Sequence, residues 1–509
     1  MSTFYITTPI YYPNGEPHLG HVYTTICSDV VARYHRLIGN DTWFLTGSDE
    51  HGIKMVKTAE AEKITPRELA DRNVAVFQAL WPELKITNDD FIRTSSDRHK
   101  QGVQEIVRRL VEKGDIYLGS YSGWYDEGQE EFVTETEAKT NEYKSVVSGR
   151  ALVRYSESSY FFRLTKYAPR VLEYINANPH FIQPDSRRNE VLSKLKAGVD
   201  DLSISRATLK WGIPLPHDPE HVVYVWIDAL SNYITALGYG QADDSKYRKY
   251  WPGVHVIGKE ILWFHTVYWP AMLFALGEPL PKQVYAHGWW TAEGRKMSKT
   301  LGNFIGLPKL RSVIAASGLD ALRYYLLRAA PFGSDLDWSD GDFNKSFNEL
   351  ANVLGNCLNR TLKMINKYRD GVVPAAGAEL DEIDRNLIAR TREIGAKLAD
   401  AYDRLALQEC AMLPVELARA TNGYIDATAP FSLAKDPAKA GRLDTVLNLS
   451  AQAISRALLA LLPILPEKAA AGLAQLNVAA DRPLGELLAH QIPAGHRVSE
   501  GQPLFPKVV

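Results

Sequence analysis

The chain has 509 residues, 45% hydrophobic and 23% charged, which is ordinary globular usage and excludes a disordered polypeptide. Such a length exceeds one compact core and predicts roughly two to four folding units. The formal net charge of -2 excludes a global pull toward nucleic acid, so any nucleic-acid surface must be a local patch.

The first residues, MSTFYITTPIYYP, carry no basic stretch followed by an apolar one, so no secretion signal is expected. The run over residues 3–10 reads as a buried strand rich in β-branched and aromatic side chains. The turn-rich YYPNGEP follows, and then a helix in which Val22, Ile26, Val30, Tyr34 and Leu37 recur at helical spacing, with Gly39 placed to end it. A second strand, TWFLTG, leads into the loop SDEHG. Thr65-Pro66-Arg67-Glu68 has the form of a capping box and opens a helix through Leu80. Another helix is predicted from about Arg98 to Lys113, stopped by Gly114. This alternation implies a parallel, doubly wound sheet.

From Tyr117 to Ser205 the βα pattern gives way to short β-like stretches, which reads as an inserted domain. Parallel strands are expected to resume at HVVYVWIDA, GVHVIGKE and KQVYAHGWW. After Asn344 the chain turns Ala- and Leu-rich with helical period, interrupted by the polar RDGVVPAAGAELD. Beyond Ala469 a looser tail is expected. The longest apolar run, RALLALLPILP, contains Pro463 and Pro466 and is too short to span a bilayer. Cys27, Cys357 and Cys410 lie far apart, which predicts no disulfide framework and points to a soluble, reducing, cytoplasmic setting.

Two short motifs carry chemistry. His18-Leu19-Gly20-His21 falls where a loop becomes a helix, where free N–H groups and the helix dipole favour phosphate. The two imidazoles, three residues apart, share one helical face, and Gly20 leaves room for a base or ribose. Lys296-Met297-Ser298-Lys299-Thr300 lies in a glycine-flanked loop after the last predicted strand. Its ammonium and hydroxyl groups suit the charge that builds on a leaving pyrophosphate. Each motif alone is an ordinary surface segment. Together, in this order and on an interrupted fold, they resemble the HIGH and KMSKS signatures of class I aminoacyl-tRNA synthetases.

The runs PIYYPNGEPHLGH, VYVWIDALSNY, VIGKEILWFHTVYWPAM and HGWWTAEGRKMSKTLGN resemble the methionyl-tRNA synthetase family, from Phe4 through the helical region. The resemblance implies an α/β fold: a split Rossmann-like parallel-sheet catalytic domain with an inserted connective domain, followed by an all-α helical-bundle anticodon-binding domain. On this expectation residues 1–116 and 206–300 form the two halves of the catalytic domain and 117–205 the insertion. Residues 301–345 form the KMSKT loop and stem-contact region, 346–469 the anticodon-binding bundle, and 470–509 the tail.

It also implies a function: ATP-dependent joining of L-methionine to initiator and elongator tRNA(Met) through methionyl-adenylate, with Mg²⁺ accompanying ATP. By resemblance the methionine pocket comprises Ile10, Tyr12, Asp49, Trp226, Ala229, Leu230, Tyr233, Phe264 and His265. Aromatic walls suit a polarizable thioether, and a carboxylate suits the α-ammonium. ATP is assigned to His18, Gly20, His21, Gly258, Glu260, Lys296, Ser298 and Lys299, with His18, His21, Lys296 and Lys299 catalytic. Glu260 and Asp228 are candidate ribose or coupling carboxylates. Arg206 matches an arginine linked to the active site, or is a surface ion pair.

Asn356, Arg360 and Phe431 are expected to read the CAU anticodon, with Lys363, Lys367 and Arg369 as candidate phosphate contacts. Many relatives carry a cysteine-based zinc knuckle, but here Asp126 and Gln129 stand at the matching spacing in SGWYDEGQEEF, so no metal is expected to bind there. The chain is also expected to lack a dimerising appendage and to act as a monomer. Another class I synthetase, a silent tRNA-binding relative and a smaller nucleotidyltransferase remain the alternatives.

Overall fold

The β-branched and aromatic run at the start forms a strand over Thr3–Thr7, in which Tyr5, Ile6 and Thr7 are buried. The computed structural model describes residues 2–129, 131–133, 135–297 and 302–506. The strand is shorter than expected because Pro9 cannot donate to a ladder. The chain resumes pairing only at a bridge between Tyr11 and Ser48.

Thr3–Thr7 lies within a six-stranded sheet. In spatial order the strands are Asp90–Arg93, Asp41–Ser48, Thr3–Thr7, Val254–Gly258, Gln283–His287 and Ile182–Gln183. The registers are parallel, with Ile6 opposite Val254, Gly258 opposite His287, Ile182 opposite Val284 and Gly47 opposite Ile92. The early strands step to one side of Thr3–Thr7 and the late strands to the other. The order therefore reverses between Thr3–Thr7 and Val254–Gly258, and such a reversal opens a crevice at the strands' carboxyl ends.

The helices that cross over the sheet start and stop where their capping residues say. Thr65 accepts from the Glu68 N–H, and the Glu68 carboxylate accepts from the Thr65 N–H, with Pro66 in the first turn of Pro66–Glu83. The helix Asp97–Glu112 ends where Gly114 takes a φ of +70°. Its Val103, Ile106, Val107 and Leu110 join Leu45, Ile92, Ile234 and Leu273 in one apolar core. Full burial of each such side chain contributes about 1.5–3 kcal/mol.

In the expected insertion, Ile116–Asp126 pairs antiparallel with Val153–Phe162, flanked by Glu131–Val133 and Leu202–Ser203. The same region also supplies Ile182–Gln183 to the edge of the parallel sheet, so it is not wholly separate from that sheet. Two residues before a proline carry no period from which this strand could be read.

HVVYVWIDA is not a parallel strand. Asp218–Val223 joins a small antiparallel sheet with Ser205–Arg206 and Pro214–Leu215, and Val225–Thr235 is helical. That helix is buried nearly all round, and a uniformly apolar run does not distinguish strand from buried helix.

The chain forms two compact units, one of Thr3–Ser28 and Thr42–His287, the other of Met1–Ser2, Asp29–Asp41 and Gly288–Val509. The first holds the parallel sheet and the insertion. The second packs Asn356–Arg369, Glu382–Asp403, Leu407–Thr428 and Ala440–Leu461 against one another, with the polar RDGVVPAAGAELD segment between the first two. Within it Arg323, fully buried, pairs with Asp29 at 2.8 Å and donates to the carbonyls of Pro463 and Ile464.

The tail beyond Ala469 is not loose. Ile492, Val498, Leu504 and Phe505 are buried, and the Val373 N–H donates to the His496 carbonyl at 2.8 Å. No described helix is long and apolar enough to cross a membrane.

Candidate active site

The HLGH segment opens the helix Leu19–Leu37 at the carboxyl edge of the parallel sheet. Thr24, one turn into that helix, accepts from or donates to the His287 Nε2 at 2.7 Å, and His287 is the last residue of its strand. Gly258, opposite His287, ends the neighbouring strand. His18, Gly20, His21 and Gly258 thus share the edge at which the strand order reverses.

The ring protons of both histidines can be assigned from hydrogen bonds. The Gly20 N–H donates to the His18 Nδ1 at 3.1 Å, and the His18 N–H donates to the His21 Nδ1 at 3.2 Å. With each Nδ1 acting as acceptor, the remaining ring proton sits on Nε2. Both imidazoles are therefore Nε2–H donors, their rings 3.9 Å apart. Burial, and secondarily His18, hold His21 well below the usual histidine range and so neutral. Tyr11 and Phe77 pack edge-on against His21 and fix its ring. A side chain at Gly258 would place its Cβ 2.4 Å from the Glu260 carboxylate, so any larger residue there would have to displace Glu260.

The residues expected around the amino acid converge in the same unit. Trp226 and Phe264 stack face to face, 3.7 Å apart and 5° from parallel. Phe264 and His265 lie on a π-helical turn, Phe264–Tyr268, a wider coil that is common at functional sites and has no sequence signature. The His265 Nδ1–H donates to the Ile261 carbonyl at 2.8 Å, so its Nε2 accepts from the Tyr233 hydroxyl at 2.6 Å. Burial lowers the His265 pKa to about 4, against the opposing effect of the Ile261 bond. The pair is therefore a neutral, ordered polar group beside the stacked rings. Ala229 and Leu230 are buried on the Trp226 helix, and Ile10 packs against the same core.

Asp49 is buried, and its N–H donates to the Tyr11 carbonyl at 2.9 Å, which sets it beside Tyr12. Tyr12 packs against Met55 and Ala59, and its hydroxyl accepts from the Met55 N–H at 3.3 Å. Sequence reasoning missed how the loop after Asp49 is held. Glu50, fully buried, takes a two-pronged bond from Arg93 at 2.6 and 2.9 Å, and its carbonyl accepts from the Trp211 indole. His51 and His99 both bond Asp228. Asp228 is fully buried with both oxygens engaged, which removes it as a ribose ligand.

Arg206 is not a surface ion-pair residue. It is buried, donates to the Ser205 carbonyl at 2.7 Å and stacks its guanidinium 4.4 Å over Tyr224. With Gly52, Tyr125 and Val225 it lines a cavity of about 220 Å³.

In the second unit the KMSKT segment begins at the end of a hairpin of Trp290–Ala292 and Arg295–Lys296, which Glu293 and Gly294 close at positive φ. Asp337 clamps that turn through the Thr291 hydroxyl and the Gly294 N–H. The backbone of Lys296 pairs with Thr291, while Ser298, Lys299 and Thr300 lie outside the described residues.

Asn356 is exposed at the start of Asn356–Arg369, directly after a second π-helical turn, Leu350–Gly355. Arg360 is half-buried and pairs with Asp426 at 2.5 Å. Phe431 is 55% exposed, a large aromatic face left in solvent. Arg369 is committed to Asp444, which weakens the reading of it as a phosphate contact. In the insertion, Asp126 Oδ1 caps the N–H groups of Gly128 and Gln129. No described cluster of histidine, cysteine or carboxylate side chains could hold a metal. Two oxygen-bearing side chains without thiolate do not fit a structural zinc.

Residues 4–141 and 136–362 match the family model described as tRNA synthetases class I (M). The chain is 47% identical to the methionine–tRNA ligase of Enterococcus faecalis, over 99% of this chain and 77% of that one. It is 46% identical to the Bacillus subtilis enzyme of the same description, over 100% and 78%. Among solved structures it resembles Mycobacterium tuberculosis methionyl-tRNA synthetase in complex with methionyl-adenylate, with a TM-score of 0.94 at 38% identity, covering 99% of this chain and all of that one. The free-state structure of that enzyme matches with a TM-score of 0.88 at 37% identity, covering 100% and 98%.

Proposed function

The chain belongs to the methionine–tRNA ligases of class I, and we propose that it performs their reaction with the residues gathered at the carboxyl edge of the parallel sheet. It activates L-methionine with ATP to methionyl-adenylate and then passes the methionyl group to tRNA(Met), releasing AMP. In the first step a methionine carboxylate oxygen bonds to the α-phosphorus, the bond from that phosphorus to the bridging oxygen breaks, and pyrophosphate leaves. In the second, a terminal ribose hydroxyl attacks the adenylate carbonyl, for which the 2′-OH is proposed.

On this reading Asp49 takes the α-ammonium, and Trp226, Phe264, Ile10, Tyr12, Ala229 and Leu230 enclose the thioether. Tyr233 and His265 set the polarity near sulfur. The observation that carries the assignment is the Trp226–Phe264 stack, which presents a flat polarizable wall beside a neutral Tyr233–His265 pair. An unpaired charge in that place would lose its hydration against a thioether that cannot replace it.

His18 and His21 donate their Nε2–H groups to the ATP phosphates, Gly20 and Gly258 leave space for the nucleotide, and Glu260 binds ribose. Lys296, Ser298 and Lys299 are assigned to ATP on their motif. Catalysis then rests on positioning and on donors fixed before the charge develops. Mg²⁺ neutralises phosphate charge when it enters with ATP, a cation that prefers phosphates and water to an all-protein cage.

Asn356, Arg360 and Phe431 are proposed to read the CAU anticodon of initiator and elongator tRNA(Met). The reaction is proposed to run in the cytoplasm, where the three cysteines stay reduced, and the enzyme is proposed to be a monomer, which light scattering tests.

Methionine-dependent exchange of labelled pyrophosphate into ATP tests the first step. Exchange driven by leucine instead rejects the pocket, and absence of exchange with every amino acid favours a silent tRNA-binding protein.

A further inference from the structure

Three elements meet at one buried carboxylate. Asp228 lies in the first turn of Val225–Thr235, two residues after Trp226 and directly before Ala229. His51 lies in the loop two residues after Asp49. His99 lies in the first turn of Asp97–Glu112, a helix rooted in the sheet core. The His51 Nδ1 is 2.6 Å from one Asp228 oxygen and the His99 Nε2 is 2.7 Å from the other. The relative exposures of Asp228, His51 and His99 are 0%, 2% and 0%.

Chemistry fixes the direction of both bonds. A carboxylate accepts and does not donate, so His51 carries its proton on Nδ1 and His99 on Nε2. His99 Nδ1 then accepts from the Thr235 hydroxyl at 2.8 Å, which returns to the same helix as Asp228. Although burial alone raises the Asp228 pKa, His51 and His99 bring it below the usual carboxylate range. Each oxygen of this buried anion takes one imidazole donor, and losing either leaves charge poorly compensated in a site closed to bulk solvent.

The position of the cluster gives it a consequence for the substrate. The helix bearing Asp228 also carries Trp226, Ala229, Leu230 and Tyr233, and the loop bearing His51 also carries Asp49. We propose that Asp228 is a positioning residue for methionine: through His51 and His99 it fixes the spacing between the ammonium partner Asp49 and the thioether wall at Trp226. The proposal rests on the pocket reading above. None of these three residues bonds to His18, Gly20 or His21, so the effect falls on methionine and spares ATP.

Pyrophosphate exchange kinetics test this, with the methionine affinity read independently by tryptophan fluorescence. Asp228→Asn keeps one acceptor and turns an amide N–H toward an imidazole N–H. It raises the methionine KM and dissociation constant at least tenfold and leaves the ATP KM within about twofold.

Should that variant fold poorly, His99 gives a sharper comparison. The Gln amide nitrogen can stand where Nε2 does, whereas Leu fills the space without a donor. His99→Leu shows the selective methionine defect and His99→Gln recovers most of it. If Leu performs as well as Gln, or if both KM values rise together, the cluster is mere packing and the proposal is overturned.

Trp226→Ala run alongside separates the two readings. A methionine defect there with none in His99→Leu overturns positioning and leaves the pocket standing. No defect in either removes the pocket, and the proposal with it.

Discussion

Truncating Trp226 to alanine is the most direct test of the methionine pocket. One face of the indole is covered by Phe264 at 3.7 Å, and the side chain as a whole is only half-buried, so apolar surface remains for a ligand. Aromatic side chains of this size bury about 150–250 Å². If a thioether covers about 100 Å² of that, the loss at about 25 cal/mol per Å² is about 2.5 kcal/mol. The sulfur–aromatic contact adds about 0.3–1.5 kcal/mol.

The sum predicts a rise in methionine KM on the order of a hundredfold, reduced toward tenfold if Phe264 relaxes into the gap. The ATP KM, governed by residues on the Leu19–Leu37 helix and the ends of other strands, changes less than about threefold on the same reasoning. Pyrophosphate exchange with each substrate varied in turn measures both. Equal increases for methionine and ATP, or a methionine change under about threefold, would falsify the placement of the pocket.

Three further outcomes follow from the geometry. Because His18 and His21 present Nε2–H, His→Gln at either position, which sets an amide nitrogen near Nε2, retains more kcat than His→Asn, the weaker variant losing on the order of a hundredfold; equal losses in single-turnover kinetics refute the tautomer assignment. Phe431→Ala, which removes an exposed ring, weakens tRNA by about 1–3 kcal/mol in the aminoacylation KM while pyrophosphate exchange is unchanged; an unaltered tRNA KM removes Phe431 from the anticodon site.

The third concerns pH. The folded-state pKa of His265, about 4, lies below the unfolded value, so the unfolded chain takes up the proton first as pH falls. Its contribution to stability is complete above about pH 6.5 and is lost progressively toward pH 4, about 3 kcal/mol in all. Urea midpoints measured between pH 7.5 and 4.5 fall less steeply in His265→Gln than in the parent, and identical slopes contradict the assignment.

Much of this protein is written locally in its chain. Thr65 and Glu68 close their capping box within four residues, Gly114 ends its helix through a conformation glycine adopts freely, and the HLGH motif marks a helix N-terminus by its own spacing. These features depend on neighbours in sequence, so they were legible there, as was the family through long motifs.

What required tertiary structure depends on neighbours in space. The segment after Val223 is a helix buried nearly all round, so it carries no one-sided helical period to distinguish it from a central strand. Ile182–Gln183 becomes a sheet edge only because the Gln283–His287 strand offers it a partner. Asp228 stood as a candidate ribose or coupling carboxylate until the fold drew His51 and His99 onto its two oxygens. The Nε2 of His265 likewise meets the Tyr233 hydroxyl, 32 residues away in the chain, only on folding. Hydrogen-bond partners that are distant along the chain become neighbours only on folding, and they determine which groups are charged, which donate, and which are buried.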